Sequence, residues 1–206
     1  MFLGQKSVVF QDQKSKALAQ DTFDLVIVGG GAASVFLLQA LAEQVKQPLK
    51  VLIIHKLSLV KGQSMFGDSP YLAMSNLTHE LSVILDEYDH FENWLQKNPD
   101  KQNHLSDLPR SKTVRRAHYG KYLEEHLHKL IADSNFLEIE TVNDEVLALS
   151  NSADGWAVPC ASGETYVAKR LILAVGSLAP MSFPWVDQRY FNNDRFIMNP
   201  WVPLDY

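Results

Sequence analysis

Among its 206 residues the sequence has a single cysteine, Cys160. One thiol excludes an internal disulfide and any intramolecular dithiol–disulfide cycle, and its apolar surroundings suit a buried strand position. Long apolar runs are also missing, and none approaches the ~20 residues that cross a bilayer. The first twenty residues have no basic segment leading into an unbroken apolar core, so no signal peptide is expected and a cytoplasmic location follows by default. Positive charge is in deficit: 19 Lys and Arg stand against 24 Asp and Glu, for a net charge of −5. That balance offers no basic field to nucleic acid or to an anionic membrane surface. The seven histidines show no metal-ligand spacing. His126 and His128 are two apart and fall on different helix faces, so no metal site is expected. No nucleophile elbow and no phosphate loop of the nucleotide-hydrolase kind occurs, and the adjacent acids Glu124 and Glu125 suit a solvated helix face. No catalytic group stands out.

What the chain does have is one stretch, Asp24–Ala42 (DLVIVGGGAASVFLLQALA), that organises the rest. Leu25–Val28 is a short apolar run of the kind that forms a strand buried on both faces. Gly29, Gly30 and Gly31 follow at once, and a broadly apolar helix pattern begins at Ala32. A strand that breaks at glycines into a helix presents free N–H groups and a positive dipole end to whatever occupies the turn, which favours an anion. In the G-x-G-x-x-G pattern Gly29 permits the tight turn, Gly31 lets backbone approach a pyrophosphate, and the third position, where helix meets strand, is Ser34. This is the pattern of a dinucleotide site.

Taken in order, residues 1–22 form a polar lead-in, and a strand is expected at about Phe23–Val28. A helix over about Ala32–Val45 and a second buried strand over Lys50–His55 complete a βαβ unit with a right-handed crossover. The end of this second strand is where an acid normally accepts a hydrogen bond from the adenosine ribose. Here stand His55 and Lys56. Three readings follow: His55 bonds the ribose instead, the pair faces a 2′-phosphate as in NADP sites, or the nucleotide is held weakly or not at all. Lys61–Tyr71 is a glycine-, serine- and proline-bearing loop. Helices are expected over about Leu85–Gln96 and Tyr119–Ser134. Phe136–Thr141, Glu145–Ser150, Trp156–Cys160 and Thr165–Ala168 then predict a small antiparallel meander. Leu171–Val175 predicts a further strand buried on both faces. It closes in Gly176, where backbone can approach a cofactor from a second direction. Arg116, at the head of a helix, is placed to meet a flavin or substrate anion or to form a surface ion pair.

The order of these features resembles the N-terminal, FAD-binding part of the two-dinucleotide-binding-domain flavoproteins, and more narrowly the FAD-NAD(P)-binding family of bacterial flavoproteins. Gly29, Gly30, Gly31, Ala32, Ala33 and Ser34 fall at that family's FAD pyrophosphate loop. Gly62–Tyr71, followed by Asn76, resembles its glycine-bearing loop near the flavin. Phe91–Leu95 resembles its F-x-x-W-L helix, Val114–Leu123 its V-P-R-x-x-Y-G-x-Y-L run, and Leu173–Gly176 its Ala-Thr-Gly strand. The likeness covers about Asp24–Pro180. It implies an α/β fold: a Rossmann-like parallel sheet with a βαβ dinucleotide-binding unit, a helical insert and a small antiparallel β meander. It also implies FAD as cofactor, held at the glycine loop with His55, Lys56, Arg116 and Gly176 nearby. Residues 23–176 would form the binding domain. Residues 177–206, rich in Pro and aromatics, would be an irregular tail that leads towards an absent NAD(P)H domain or docks on one, so that NADPH is used only with that further domain. The competing reading is a nucleotide-binding or degenerate module without turnover, or an NADP-binding Rossmann protein.

Overall fold

The computed structural model describes residues 22–57, 59–60, 72–98, 114–153, 155–176, 184–193 and 195–196. Six strands form one sheet in the order β3-β2-β1-β6-β5-β4. β1 (Thr22–Val28) and β2 (Leu49–His55) pair in parallel, with Val28 opposite Ile54. β3 (Leu137–Asn143) lies parallel to β2, and β6 (Thr165–Leu173) lies parallel to β1 on its other side. β5 (Gly155–Pro159) and β4 (Ser150–Ser152) continue the sheet antiparallel. The α1 helix (Ala32–Gln44) carries the chain from β1 back to β2, and α3 (Arg116–Asp133) leads into β3. The short α2 helix (His90–Lys97) precedes α3. Among the described residues no helix is long and apolar enough to cross a membrane.

The unbroken apolar runs of β1 and β2 follow from burial on both faces. Leu25, Ile27, Val51 and Ile53 point to the helical side, in one cluster with Val35 and Leu38 of α1, Phe91 and Leu95 of α2, and Tyr122, Leu123 and Leu127 of α3. Val26, Val28, Leu52 and Ile54 form a second cluster with Leu149, Val158, Cys160 and Ala168 of the antiparallel part. A residue facing either way along these strands therefore meets apolar partners, so the two-residue alternation disappears.

Five expectations from sequence are corrected. Phe136–Thr141 belongs to no meander; it is the parallel edge strand β3, joined to β2 by the α3 crossover. As an edge strand it is exposed at Glu138, Glu140 and Thr141, which mimics the alternation of an antiparallel ribbon. Glu145–Ser150 is not a full strand: Val146 makes an isolated bridge to Cys160, and β4 begins at Ser150. Thr165–Ala168 and Leu171–Val175 are not separate strands, because β6 runs through Lys169 and Arg170 without a break. Its far end is also not buried on both faces: Leu173 is 57% and Val175 58% exposed. The reason lies in the pairing, since β5 reaches only Thr165–Ala168, so the described part of the sheet leaves the outer edge of Leu171–Leu173 uncovered. Finally, the helix expected from Leu85 starts at His90. Leu85 is exposed, and two turns, closed by Glu87 N–H to Ile84 O and His90 N–H to Glu87 O, occupy the interval.

Candidate functional site

The C-terminal ends of the four parallel strands share one edge, and the glycine turn lies on it. Gly29 leaves β1 with φ +114°, a conformation that side chains rarely tolerate. A Cβ there would sit 2.2 Å from the backbone oxygen of Ala174, just past β6. Gly29 is therefore required by the fold itself: it lets the end of β1 lie against the end of β6. A Cβ on Gly30 would come within 3.0 Å of both His55 Cβ and Leu59 Cδ1, so this glycine packs under the end of β2. Gly31 is different. A Cβ there meets no protein atom within 4 Å. The space in front of Gly31 is open.

Ser34 explains itself once the turn is seen. Its buried hydroxyl donates to the Gly29 carbonyl oxygen at 2.5 Å, closing the loop from inside the first turn of α1. A glycine at this position allows close helix–strand packing by having no side chain; serine is small enough to fit and adds a bond across the same contact. Gly31 caps α1 without a side-chain hydrogen bond, and the first turn holds no acidic residue. The positive end of the helix is thus left to an anion. A second clasp comes from Val60, whose N–H donates to Gly30 O at 2.7 Å. Val60 is buried with φ +64°, an uncommon conformation for a β-branched residue, so the surrounding packing holds it there.

At the end of β2, His55 is half-buried and Lys56 exposed. The His55 Nδ1 bonds the carbonyl of Leu57. Because a carbonyl only accepts, Nδ1 carries the proton, and Nε2 of the neutral ring is an acceptor. Lys56 is not an open cation: its Nζ lies 2.8 Å from Glu145 Oε1, brought in by the turn that follows β3. This turn is tied down by Asp144. The Asp144 N–H donates to His55 O at 3.0 Å, and its carboxylate accepts from the Ser162 hydroxyl and from the N–H groups of Glu145 and Ser162. Those bonds, the Ser162 hydroxyl first, hold the Asp144 carboxyl below its ordinary range. Sequence reasoning passed over Asp144 and Glu145, and no local signal marks them, since the Lys56–Glu145 contact joins positions 89 apart.

The remaining expected site residues are placed as follows. Ala32 and Ala33 open α1 beside Gly31, with Ala33 exposed. Arg116 is the first residue of α3, half-buried, with its N–H on Leu72 O at 2.9 Å. Since α3 leads into β3 as α1 leads into β2, its N-terminus comes to the same sheet edge as the glycine turn. Gly176 lies past β6 with φ +69° and open space where a Cβ would go. Asn76 is exposed. The loop Gly62–Tyr71 lies outside the described residues. Glu125 is less solvated than its sequence suggests, because it accepts a 2.7 Å bond from Trp94 Nε1.

A cavity of about 670 Å³ lies at the opposite end of the helices, between the C-terminal halves of α1 and α3, lined among others by Trp94, Tyr122, Phe136, His90 and His126. The Tyr122 hydroxyl accepts from Val83 N–H and bonds His90 Nδ1 at 2.6 Å. His126 Nε2 meets Gln39 Oε1 at 2.7 Å, and the Gln39 amide nitrogen donates to Glu43, which fixes the amide and hence the His126 tautomer. Burial, with smaller contributions from His90 and Lys129, lowers the His126 pKa to about 4. Burial likewise lowers His90 and raises Tyr122.

A parallel sheet whose first strand breaks at glycines into a helix, with its open backbone on the carboxyl edge, defines a Rossmann-type dinucleotide-binding domain. Residues 26–178 match the FAD-NAD(P)-binding family, and the chain belongs to it. No curated protein matches the chain. Among solved structures it is similar in fold to an open crystal structure of cyclohexanone monooxygenase. That match has a TM-score of 0.55 and 20% identity over 80% of this chain and 29% of the other. A cyclohexanone monooxygenase mutant from Rhodococcus sp. Phi1 bound to NADP+ gives 0.56 and 19%, over 80% and 28% of the two chains. The flavin-containing monooxygenase from Stenotrophomonas maltophilia gives 0.56 and 16%, over 80% and 42%. The chain spans less than half the length of each. The residues that line the turn fit a dinucleotide: open space at Gly31 and an uncapped helix end lie where a pyrophosphate would be held.

Proposed function

We propose that the chain binds FAD on the Gly29–Gly31 turn and serves as the flavin-holding domain of an oxidoreductase, with the nicotinamide nucleotide brought by a further domain or subunit. The observation that carries this reading is the contrast within the turn. Gly29 and Gly30 are filled against by protein, whereas Gly31 faces open space at the uncapped head of α1. When bound, FAD supplies a reversible store for a hydride. The chain's own residues would do the holding. The N–H groups at Gly30–Ser34 would face the pyrophosphate, His55 would lie at the adenosine, and Arg116 and Gly176 would flank the flavin side of the same edge. Membership of the FAD-NAD(P)-binding family and the fold shared with flavin monooxygenases support the choice of cofactor. The described part of the aromatic tail suits a docking role: Trp185 is 78% and Tyr190 52% exposed.

The test is the absorption spectrum of the purified chain, followed by titration of the stripped protein with FAD and with NADP. Flavin bands, or micromolar FAD binding, are expected. Micromolar NADP binding without FAD binding overturns the reading and would make His55 and Lys56 phosphate ligands.

A further inference from the structure

We infer that Glu145, delivered by the turn after β3, is the carboxylate that reads the adenosine ribose of the bound dinucleotide, replacing the acid that the end of β2 lacks. The inference rests on the reading of the Gly29–Gly31 turn as a dinucleotide site. In βαβ units the ribose lies at the end of the second strand, where a carboxylate accepts hydrogen bonds from its hydroxyls. This chain has His55 and Lys56 there, two residues that by themselves would invite a 2′-phosphate. The structure sets Glu145 against that invitation. Its Oε1 lies 2.8 Å from Lys56 Nζ, which balances the lysine's charge and brings a carboxylate to the strand end from another element.

Three features make this placement more than a surface ion pair. First, the Glu145 backbone is fixed on both sides: its N–H donates to Asp144 Oδ1 at 2.8 Å, and its carbonyl accepts from Ala161 N–H at 2.8 Å. Second, the turn is anchored to β2 itself, through Asp144 N–H on His55 O at 3.0 Å. Third, Lys56 engages one carboxylate oxygen, and the Glu145 side chain is 47% exposed, so the carboxylate still faces solvent. A carboxylate oriented by a lysine on one oxygen is well suited to accept from a hydroxyl on the other. His55 Nε2, left as an acceptor by the Nδ1 bond to Leu57 O, stands at the same strand end as a second acceptor. Two acceptors match a ribose diol, which offers two donors. They do not match a 2′-phosphate, which offers only negative charge to a site whose cation is already paired.

The probes are ADP, 2′-deoxy-ADP, 3′-deoxy-ADP and 2′-phospho-ADP, titrated into the stripped chain and into Glu145→Gln, with FAD alongside. The parent is expected to bind ADP at least about tenfold more tightly than one of the deoxy analogues and than 2′-phospho-ADP, the scale of a hydrogen bond to a charged group. Glu145→Gln should lose about tenfold for ADP, lose the discrimination against that deoxy analogue, and gain relative affinity for 2′-phospho-ADP as Lys56 is released. A purely structural role for the pair would weaken all four probes alike. Exposed ion pairs contribute little to stability, so the variant should keep its circular dichroism and melting midpoint. Parent and variant with the same deoxy discrimination would overturn the assignment of Glu145 while leaving the dinucleotide site standing. A parent that binds neither ADP nor FAD would overturn both.

Discussion

A methyl group added to Gly29 and one added to Gly31 should have opposite consequences. At Gly29 the new Cβ would press on the Ala174 carbonyl at 2.2 Å, in a φ of +114° that alanine avoids. Gly29→Ala is therefore expected to lower stability by at least about 2 kcal/mol, read as a lower denaturant midpoint, with or without nucleotide. At Gly31 the added atoms meet no protein, so Gly31→Val should fold with its helical circular dichroism nearly intact and lose FAD binding. A Gly31→Val chain that binds as well as the parent would place the pyrophosphate elsewhere. Ser34→Ala lies between these cases. It removes the hydroxyl from the Gly29 carbonyl and should cost about 1 kcal/mol while retaining binding. Sequence pattern alone assigns Gly29 to the tight turn and Gly31 to the pyrophosphate, but it leaves Gly30 without a role and does not say what Gly29 makes room for. What lies opposite is set by the fold: Ala174, just past β6, comes from the other end of the chain, and its approach is written nowhere near Gly29.

At the scale of elements, legibility followed locality. The β1–α1–β2 unit could be read because its strands are buried on both faces and its turn, helix and second strand are consecutive. The strand β3 misled because an edge strand alternates whichever way its neighbour runs, and only the α3 crossover makes it parallel. The break expected within β6 came from Lys169 and Arg170. The structure accommodates them on an exposed stretch of strand, with Lys169 paired to Asp24 at 2.7 Å. The α1–α3 contact holds a pH dependence that pattern reading also missed, since spacing weighs His126 only as a metal ligand. Its pKa, lowered to about 4 by burial from an ordinary 6.5, means that the unfolded chain takes up the proton first as pH falls. The stabilisation is complete above pH 6.5 and is lost as pH drops through 4, and the lowered His90 acts in the same direction. The lowered carboxyls Asp24 and Asp144 act below this window, because their ordinary value is 3.8. Melting midpoints should thus fall between pH 6.5 and pH 4. In His126→Gln, which keeps a donor for Gln39 but cannot titrate, that slope should be shallower. An unchanged slope would assign the acid sensitivity to other groups.

For the molecule as a whole, the central question is what the 206 residues do without further protein. One strand–glycine–helix unit is present in the sequence, and nothing after Gly176 resembles a second. Hydride transfer between a nicotinamide and a flavin needs both rings held face to face at close contact. The far end of β6 and the described tail also leave apolar surface uncovered, at Leu173, Val175, Trp185 and Tyr190. Side chains of this size in contact with water suit an interface better than a free surface. We therefore expect the FAD-loaded chain to leave NADPH unoxidised, or to oxidise it no faster than free FAD under the same conditions. Stopped-flow mixing of the loaded chain with NADPH, following flavin bleaching, measures this directly. Bleaching at a catalytically useful rate would show that this chain holds both nucleotides unaided and that the uncovered apolar edge has some other use. Slow bleaching that accelerates when a separate nicotinamide-binding domain is supplied would show that the nicotinamide is held by other protein.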